Sequence, residues 1–365
     1  MIRSWRWAGS PRVWMLVFLP VTAGLAALAP ERQVPLFVCA CAAMVPLAAW
    51  IGRATEQLAE RVGEGAGGLL NATLGNAAEL ILGVAALRRG LVGIVKASLI
   101  GSILGNLLLV LGAAVLAGGL RRDVQRFNAT GARAQGTMLT LAAIALLAPA
   151  VFGAFGGRPA AMGGLSLAIA AVLIVTYACG LLFSLRTHRR LFLGAVCRAS
   201  ESEGEPPGFV PWSMAKAAAV LAAAAALAAW VSGVLVGVVE PAARALGMTD
   251  LFVGVVVLAI VGNAAEHVSA VQVARHDRMD LALGIAVGSS IQVALLVAPL
   301  LVLVSRFIGP RPMDLVFTVP EALAMAAAVA IGGQVAADGE SNWLEGVQLL
   351  AAYVVLAVLF FFLPG

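Results

Sequence analysis

The sequence Gly-Asn-Ala-Ala-Glu occurs twice in this chain, at residues 75–79 and again at residues 262–266. Each copy lies inside a long apolar stretch rather than in a polar loop. A Gly-Ser pair follows each copy, and its serine stands 23 residues after the glutamate in both cases, at Ser102 and at Ser289. Five identical residues and a shared spacing indicate an internal repeat with one carboxylate in each half.

The composition places both copies in a membrane. Of the 365 residues, 61% are hydrophobic and 12% are charged, whereas soluble domains are about half apolar and about a quarter charged. Such a chain cannot cover a water-facing surface, and its abundance of Leu, Val and Ile also excludes intrinsic disorder. The formal net charge of +5 does not indicate nucleic-acid binding, because the arginines are scattered between apolar runs.

Eleven apolar runs are long enough to be predicted as membrane-spanning helices, since a span needs about 20 mainly apolar residues. They do not alternate apolar and polar residues, which excludes a β-barrel. The runs lie at residues 13–29, 33–52, 68–87, 92–117, 137–156, 162–185, 212–238, 250–274, 281–305, 315–336 and 343–363. The first run resembles a signal peptide, but Pro30 follows its small-residue motif and should hinder cleavage, so we expect an uncleaved helix.

The positions of the two pentapeptides predict the topology. They lie on the third and eighth runs, and an odd number of crossings reverses the direction of the chain. We therefore expect an all-α membrane protein of eleven transmembrane helices, arranged as one plus five plus five with inverted-topology repeats. The predicted parts are an N-terminal helix at 1–32, a first five-helix repeat at 33–186, a cytoplasmic linker at 187–211 and a second five-helix repeat at 212–365.

The arginines predict the orientation of the chain in the membrane. Fifteen of the 22 arginines fall on the side of the N-terminus and seven on the other side. The positive-inside rule therefore predicts a cytoplasmic N-terminus and a C-terminus outside. The compact length and the composition rich in Arg and Ala favour a bacterial inner membrane.

The two glutamates of the repeat are the candidate functional residues. An ionised carboxylate at the bilayer centre costs at least about 2.5–3.5 kcal/mol on insertion scales, so such residues usually face the bundle interior and have a function. Asn76 and Glu79 are three residues apart and share a helix face, as do Asn263 and Glu266. The alternative is a pair of protonated glutamates that hydrogen-bond between helices.

Further amide and hydroxyl groups follow in the fourth and ninth runs. Ser98, Ser102 and Asn106 form a polar stripe at helical spacing, and Ser289 and Gln292 are three residues apart. Carboxylate, amide and hydroxyl oxygens suit calcium or another hard cation. The lack of thiol and multi-histidine clusters argues against zinc or copper. For Ser98 and Asn106, a role as simple polar contacts between helices is equally consistent with the sequence.

Together these residues predict a transporter in which protons and a divalent cation compete for Glu79 and Glu266. The protein would change between inward-open and outward-open forms only when one or the other ion neutralises these carboxylates. Two alternatives remain open: a broader sodium- or potassium-for-proton antiporter that uses the same residues, and a passive cation channel. The repeat favours alternating access over a pore. We expect no enzymatic activity and no organic cofactor, because the sequence contains no nucleotide motif or catalytic constellation.

The motifs together resemble the calcium/proton antiporters of the cation/calcium exchanger superfamily, over most of the chain from about residue 54. Besides both pentapeptides, the resemblance rests on Ala-Thr-Glu-Gln-Leu-Ala at 54–59, Gly-Gly-Leu-Leu-Asn-Ala-Thr at 67–73, Lys-Ala-Ser-Leu-Ile-Gly-Ser-Ile-Leu-Gly-Asn at 96–106, Gly-Ser-Ser-Ile-Gln at 288–292 and Asp-Gly-Glu-Ser-Asn-Trp-Leu-Glu-Gly at 338–346. Sodium/calcium exchangers of the same superfamily usually carry Thr- and Ser-rich motifs instead. The resemblance therefore implies exchange of cytoplasmic calcium for external protons.

The resemblance also implies roles for single residues. It makes Glu79 and Glu266 the residues that bind calcium and couple protons. It places supporting or flanking ligands at Asn76, Asn263, Ser102, Ser289 and Gln292. His267 matches the histidine that follows the second family glutamate and is a candidate proton relay, although a packed, hydrogen-bonded histidine fits at least as well. The family usually has a proline shortly before the second motif, where this chain has none, so we expect a milder helix break there, which Gly262 permits.

Overall fold

The computed structural model describes residues 15–62, 64–188 and 212–363. The predicted linker at 187–211 therefore lies almost entirely outside the described residues. Within the described residues the chain is mostly helical, and eight helices are long and apolar enough to cross a membrane. The protein is a helical integral membrane protein, as its composition predicts.

The described helices follow the predicted runs. They are α1 (Met15–Leu28), α2 (Gln33–Val62), α3 (Glu64–Leu74), α4 (Ala77–Arg88), α5 (Val92–Gly119), α6 (Ala129–Ala154), α7 (Ala160–Thr187), α8 (Met214–Ala245), α9 (Asp250–Arg275), α10 (Met279–Val304), α11 (Val319–Val335) and α12 (Trp343–Phe362). The runs at 13–29 and 315–336 correspond to the shorter helices α1 and α11, and the run at 68–87 is divided between α3 and α4. Two short strands, β1 (Gln125–Arg126) and β2 (Glu340–Ser341), pair in antiparallel fashion.

The two pentapeptides differ in backbone structure. The first copy contains a helix break, because α3 ends and α4 begins on either side of Gly75 and Asn76. The helical bonds resume where the N–H of Leu80 donates to the carbonyl of Asn76, at 3.1 Å. In contrast, α9 continues through Gly262 and changes only to a π-helical stretch at Val253–Leu258. The milder break expected at the second motif is absent, because a glycine keeps its backbone N–H whereas a proline removes one.

Helices α5 and α10 each contain a π-helical stretch, at Gly105–Val110 and at Val293–Val297. These two stretches end 187 residues apart, which is also the separation of Glu79 and Glu266. A π-helical turn is rare and is often found at functional sites. Helices α5 and α10 therefore share this backbone feature, whereas the π-helical stretch of α9 has no counterpart in α3.

The described residues form two compact units, and each unit takes segments from both halves of the sequence. Unit 1 contains the described residues up to Ser98, the segment Trp212–Ala265 and the residues from Phe360 onward. Unit 2 contains the described part of Leu99–Pro211 and the segment Glu266–Leu359.

In unit 1, α8 packs along α2 and also contacts α4. The start of α8 is fixed to α2 by Trp212, whose backbone N–H donates to Oε1 of Gln57 at 2.9 Å. The ring of Trp212 stacks on Trp50, with ring centroids 5.9 Å apart. Ser213 then caps α8 by accepting from the backbone N–H of Lys216.

In unit 2, α6 packs on α7, α10 and α11, and α7 also packs on α10. Helices α5 and α12 approach closely, because a Cβ added to Gly346 would stand 2.8 Å from the carbonyl oxygen of Gly112. At the start of α12, Asn342 Oδ1 accepts from the N–H groups of Leu344 and Glu345, and Glu345 Oε2 accepts from the N–H of Asn342. The motif that ends at Gly346 therefore caps a helix and allows close helix packing.

Candidate functional site

In unit 1 the side chain of Glu79 stands beside Gly262 of the second pentapeptide. A Cβ added to Gly262 would stand 3.9 Å from Cγ and 4.0 Å from Oε1 of Glu79. Glu79 also lies in the first turn of α4. A helix N-terminus carries a partial positive charge that stabilises a carboxylate. The helix break in the first motif therefore places its glutamate where the backbone itself favours a negative charge.

The asparagines of the two pentapeptides are both buried in unit 1, with Asn76 0% and Asn263 1% exposed. Asn76 stands at the N-cap position of α4, beside the first turn that carries Glu79. The amide nitrogen of Asn263 donates to the carbonyl of Ala259, one turn earlier, at 3.0 Å. That bond uses the nitrogen, and the amide oxygen is the atom of Asn263 that could bind a cation.

In unit 2, Glu266 belongs to a hydrogen-bonded chain of three side chains from α5, α10 and α9. The amide nitrogen of Asn106 donates to Oγ of Ser289 at 3.0 Å. Ser289 is in turn hydrogen-bonded to the side chain of Glu266. A hydroxyl has one proton and two acceptor sites, so Ser289 accepts from the amide and donates to the carboxylate.

Two oxygen atoms in this chain of side chains are buried and have no hydrogen-bond partner among the described residues. They are Oδ1 of Asn106 and Oε2 of Glu266. Buried acceptors almost always bond to a protein group, a water molecule or an ion, so these two oxygens are available to a water molecule or to a cation. Amide and carboxylate oxygens are ligands that calcium accepts. Within the described part of the chain no three His, Cys, Asp or Glu side chains form a metal cluster, so a cation here also needs neutral oxygen ligands.

The other predicted site residues of unit 2 lie on the same helices. Ser102 is buried on α5, and Gln292 is half-buried on α10, one turn after Ser289. His267 follows Glu266 on α9, and its Nε2 is buried without a hydrogen-bond partner among the residues that the structure describes. At that nitrogen, the described residues do not supply the hydrogen bond that a purely structural histidine would make.

The structure thus places Glu79, Asn76 and Asn263 in unit 1, and Glu266, His267, Ser102, Ser289 and Gln292 in unit 2. It adds Asn106, which the sequence identifies only as part of a polar stripe. In the sequence, Asn106 can be identified because it follows Ser102 by one helical turn. Ser98, the remaining residue of that stripe, belongs to unit 1 and lines a small cavity there.

Comparison with known proteins places these features in context. A family model described as sodium/calcium exchanger protein matches residues 32–186 and 216–362. The chain is 45% identical to a Ca2+/H+ antiporter of Synechocystis, over 91% of this chain and 92% of the relative. It is 46% identical to the Ca2+/H+ antiporter ChaA of Bacillus subtilis, over 90% of this chain and 92% of the relative. The solved structure of native YfkE resembles it with a TM-score of 0.82 and 41% identity, covering 96% of this chain and 99% of that chain.

Proposed function

Because the chain belongs to the sodium/calcium exchanger family, among its calcium/proton antiporters, we propose that it exchanges cytoplasmic calcium for external protons. Calcium and protons compete for Glu79 and Glu266. The observation that carries this proposal is the hydrogen-bonded chain in unit 2, in which the buried carboxylate of Glu266 bonds to Ser289 and keeps a second oxygen without a partner among the described residues.

The proposed calcium ligands are hard oxygen atoms, which calcium prefers in sets of six to eight. The two carboxylates supply the charge. Neutral oxygens come from Asn76, Asn263, Ser102, Ser289 and Gln292, and from Asn106. The small space beside Gly262 lets an ion approach the carboxylate of Glu79, because no side chain stands there.

Ser289 is suited to both states of Glu266. Its hydroxyl donates to the ionised carboxylate, and it accepts when the carboxyl group carries a proton. When calcium binds the carboxylate, the same hydroxyl oxygen can turn a lone pair to the ion. The serine can therefore keep a bond to the carboxyl group of Glu266 in its ionised and its protonated form.

Competition couples the two ion movements. Moving an uncompensated carboxylate through the apolar interior is costly, so the transporter changes its access only when calcium or protons neutralise Glu79 and Glu266. His267, next to Glu266, is the proposed relay that brings protons to the pair. When the site is empty and both carboxylates are ionised, its access does not switch from one side of the membrane to the other. This prevents a leak of either ion.

The proposal includes the one plus five plus five arrangement of eleven transmembrane helices with inverted repeats. It is supported by the spacing of 187 residues that relates the two pentapeptides, the two Gly-Ser pairs and the ends of the π-helical stretches in α5 and α10. Repeats of this kind allow alternating access to a central site. The excess of arginines on the N-terminal side supports a cytoplasmic N-terminus, and the composition rich in Arg and Ala supports a bacterial inner membrane.

Calcium uptake into everted membrane vesicles under an imposed pH gradient tests this function. We expect Glu79→Gln and Glu266→Gln to abolish uptake, because glutamine keeps the shape but cannot carry charge or exchange a proton. Glu240→Gln is the control, since Glu240 is a partly exposed carboxylate that pairs with Arg244 at 3.7 Å. Unchanged uptake in either site variant contradicts the proposal. Calcium uptake that does not depend on the pH gradient indicates a channel. Sodium that competes for the site as well as calcium does indicates a broader antiporter.

A further inference from the structure

A small cavity of about 10 Å³ lies inside unit 1, where α4, α5, α8 and α9 meet. This volume is near the minimum that holds one water molecule. Its walls are apolar, with leucines from three helices, namely Leu82, Leu235 and Leu258. Ser98 contributes the hydroxyl group of the lining, which donates to the carbonyl of Val95 at 2.9 Å and keeps its acceptor sites available.

The cavity lies one helical turn beyond Glu79. Two of its lining residues, Leu82 and Gly83, follow Glu79 by three and four residues and therefore share its face of α4. This direction along α4 leads to the helix end that carries Arg88. Ser98 lies in the second turn of α5, which begins just after that end. The cavity thus stands between Glu79 and one end of unit 1.

Two arginine side chains are exposed at that end of unit 1, those of Arg88 and Arg89. Nη1 of Arg89 lies 2.8 Å from where a Cβ on Gly237 would stand. Gly237 directly follows Val236, which lines the cavity. A charged, exposed side chain therefore lies at the outer edge of an apolar space whose inner edge is one turn from Glu79.

We infer that this cavity is the closed segment of the ion pathway between Glu79 and the Arg88 end of unit 1, with Leu82, Leu235 and Leu258 as a hydrophobic gate. An apolar cavity of this size stays dry, and a dry constriction stops ions because it cannot hydrate them. The gate opens when these leucines separate, and Ser98 then gives the passing ion a hydroxyl oxygen. This inference rests on the proposed function, since it takes Glu79 as the ion-binding residue.

Thiol labelling of the full-length protein in vesicles tests the gate. The background carries alanine at Cys39, Cys41, Cys179 and Cys197, and Ser98→Cys adds the thiol to be labelled. The reagent is a charged, membrane-impermeant methanethiosulfonate. A thiol in a dry, apolar cavity reacts slowly, because only the thiolate is reactive. Leu235→Asn is introduced to hydrate the cavity, and Leu227→Asn is the matched control, since Leu227 is 44% exposed on the same helix.

We expect Leu235→Asn to speed labelling of Ser98→Cys by about tenfold, because polar walls admit water, and only when the reagent is added on the Arg88 side. Leu227→Asn should leave the rate unchanged. Equal rates in the two variants, or labelling only from the opposite side, would overturn the gate. Leu235→Thr is the milder variant to use if the asparagine variant does not fold, and it is expected to change the rate in the same direction.

The labelling result is separable from the test of the proposed function. The rate is measured without calcium or a proton gradient, so it reports water access and not transport. If Glu79→Gln leaves uptake intact while Leu235→Asn opens the cavity, the ion-binding role of Glu79 fails and the dry constriction stands. If uptake depends on Glu79 and labelling is unaffected by Leu235→Asn, the gate alone fails.

Discussion

The side chain of Glu79 stands beside Gly262, so the glutamate of the first pentapeptide lies close to the second pentapeptide within unit 1. The distances of 3.9 and 4.0 Å from a would-be Cβ are ordinary van der Waals contacts. A methyl group would therefore fit beside the glutamate without forcing the backbone apart. Neither a steric clash nor the backbone conformation therefore requires glycine at position 262, and the glycine leaves a methyl-sized space beside Glu79.

Gly262→Ala should weaken calcium transport while keeping the fold. The added methyl fills the space from which an ion approaches Glu79, and we expect the calcium concentration for half-maximal uptake to rise by about tenfold, or about 1.4 kcal/mol of binding free energy. Thermal stability should be equal or higher, because alanine is favoured over glycine in a helix by about 1 kcal/mol. Gly284→Ala is the control, since a Cβ there meets nothing within 4 Å. Unaltered calcium dependence in Gly262→Ala argues against an ion beside Glu79.

Two adjacent serines of α10 should behave differently. Ser289 bonds to Glu266 and to Asn106, whereas Ser290 is equally buried but donates to the carbonyl of Ala286, within its own helix, at 3.0 Å. We expect Ser289→Ala to reduce uptake strongly and Ser290→Ala to leave it close to normal. The measurement is the initial rate of calcium uptake at matched protein levels. Similar losses in both variants point to a general packing effect.

Asn106 and Ser289 should act as one unit. If the amide orients the serine toward Glu266, then Asn106→Ala and Ser289→Ala remove the same interaction. The double variant should lose no more transport than the stronger single variant, with a coupling free energy of about 0.5–3 kcal/mol. Independent effects would add instead. Calcium uptake in the four proteins of this double-mutant cycle gives the coupling directly.

The close approach of α5 and α12 predicts a stability effect that is separate from transport. A Cβ on Gly346 would stand 2.8 Å from a backbone oxygen of Gly112, which cannot move aside. Gly346→Ala should therefore destabilise the protein by about 1–3 kcal/mol, as overpacking does. Gly333→Ala on α11 is the control, because a Cβ there meets nothing within 4 Å. Thermal unfolding in detergent measures both, and equal midpoints would show that the helices can separate at little cost.

The sequence predicted the helical membrane class well, because the bilayer thickness requires about 20 apolar residues per helix and such runs are visible in the sequence. The divided third run was not predicted. Its apolar pattern continues across Gly75 and Asn76, and the turn there depends on backbone bonds that hydropathy does not report. The π-helical stretches were also not predicted. A π-helical turn changes the spacing of the backbone hydrogen bonds but not the apolar character of the sequence.

The candidate site was predicted in its residue types more than in its contacts. The repeat identified both glutamates and their serines, and these positions remain the basis of the proposal. The bond between Asn106 and Ser289 joins residues 183 positions apart, so it depends on how α5 packs against α10. The same spacing rule gave Ser98, Ser102 and Asn106 equal weight, although Ser98 lines the apolar cavity of unit 1.

Proton release on calcium binding tests the central claim most directly. Calcium is added to the purified protein in weakly buffered detergent solution, and the protons released are measured with a pH indicator. If calcium displaces protons from Glu79 and Glu266, the wild type releases protons, its apparent calcium affinity falls as the pH is lowered, and Glu79→Gln and Glu266→Gln each reduce the release. The account would be contradicted if both variants bound calcium with the affinity of the wild type and released as many protons as the wild type.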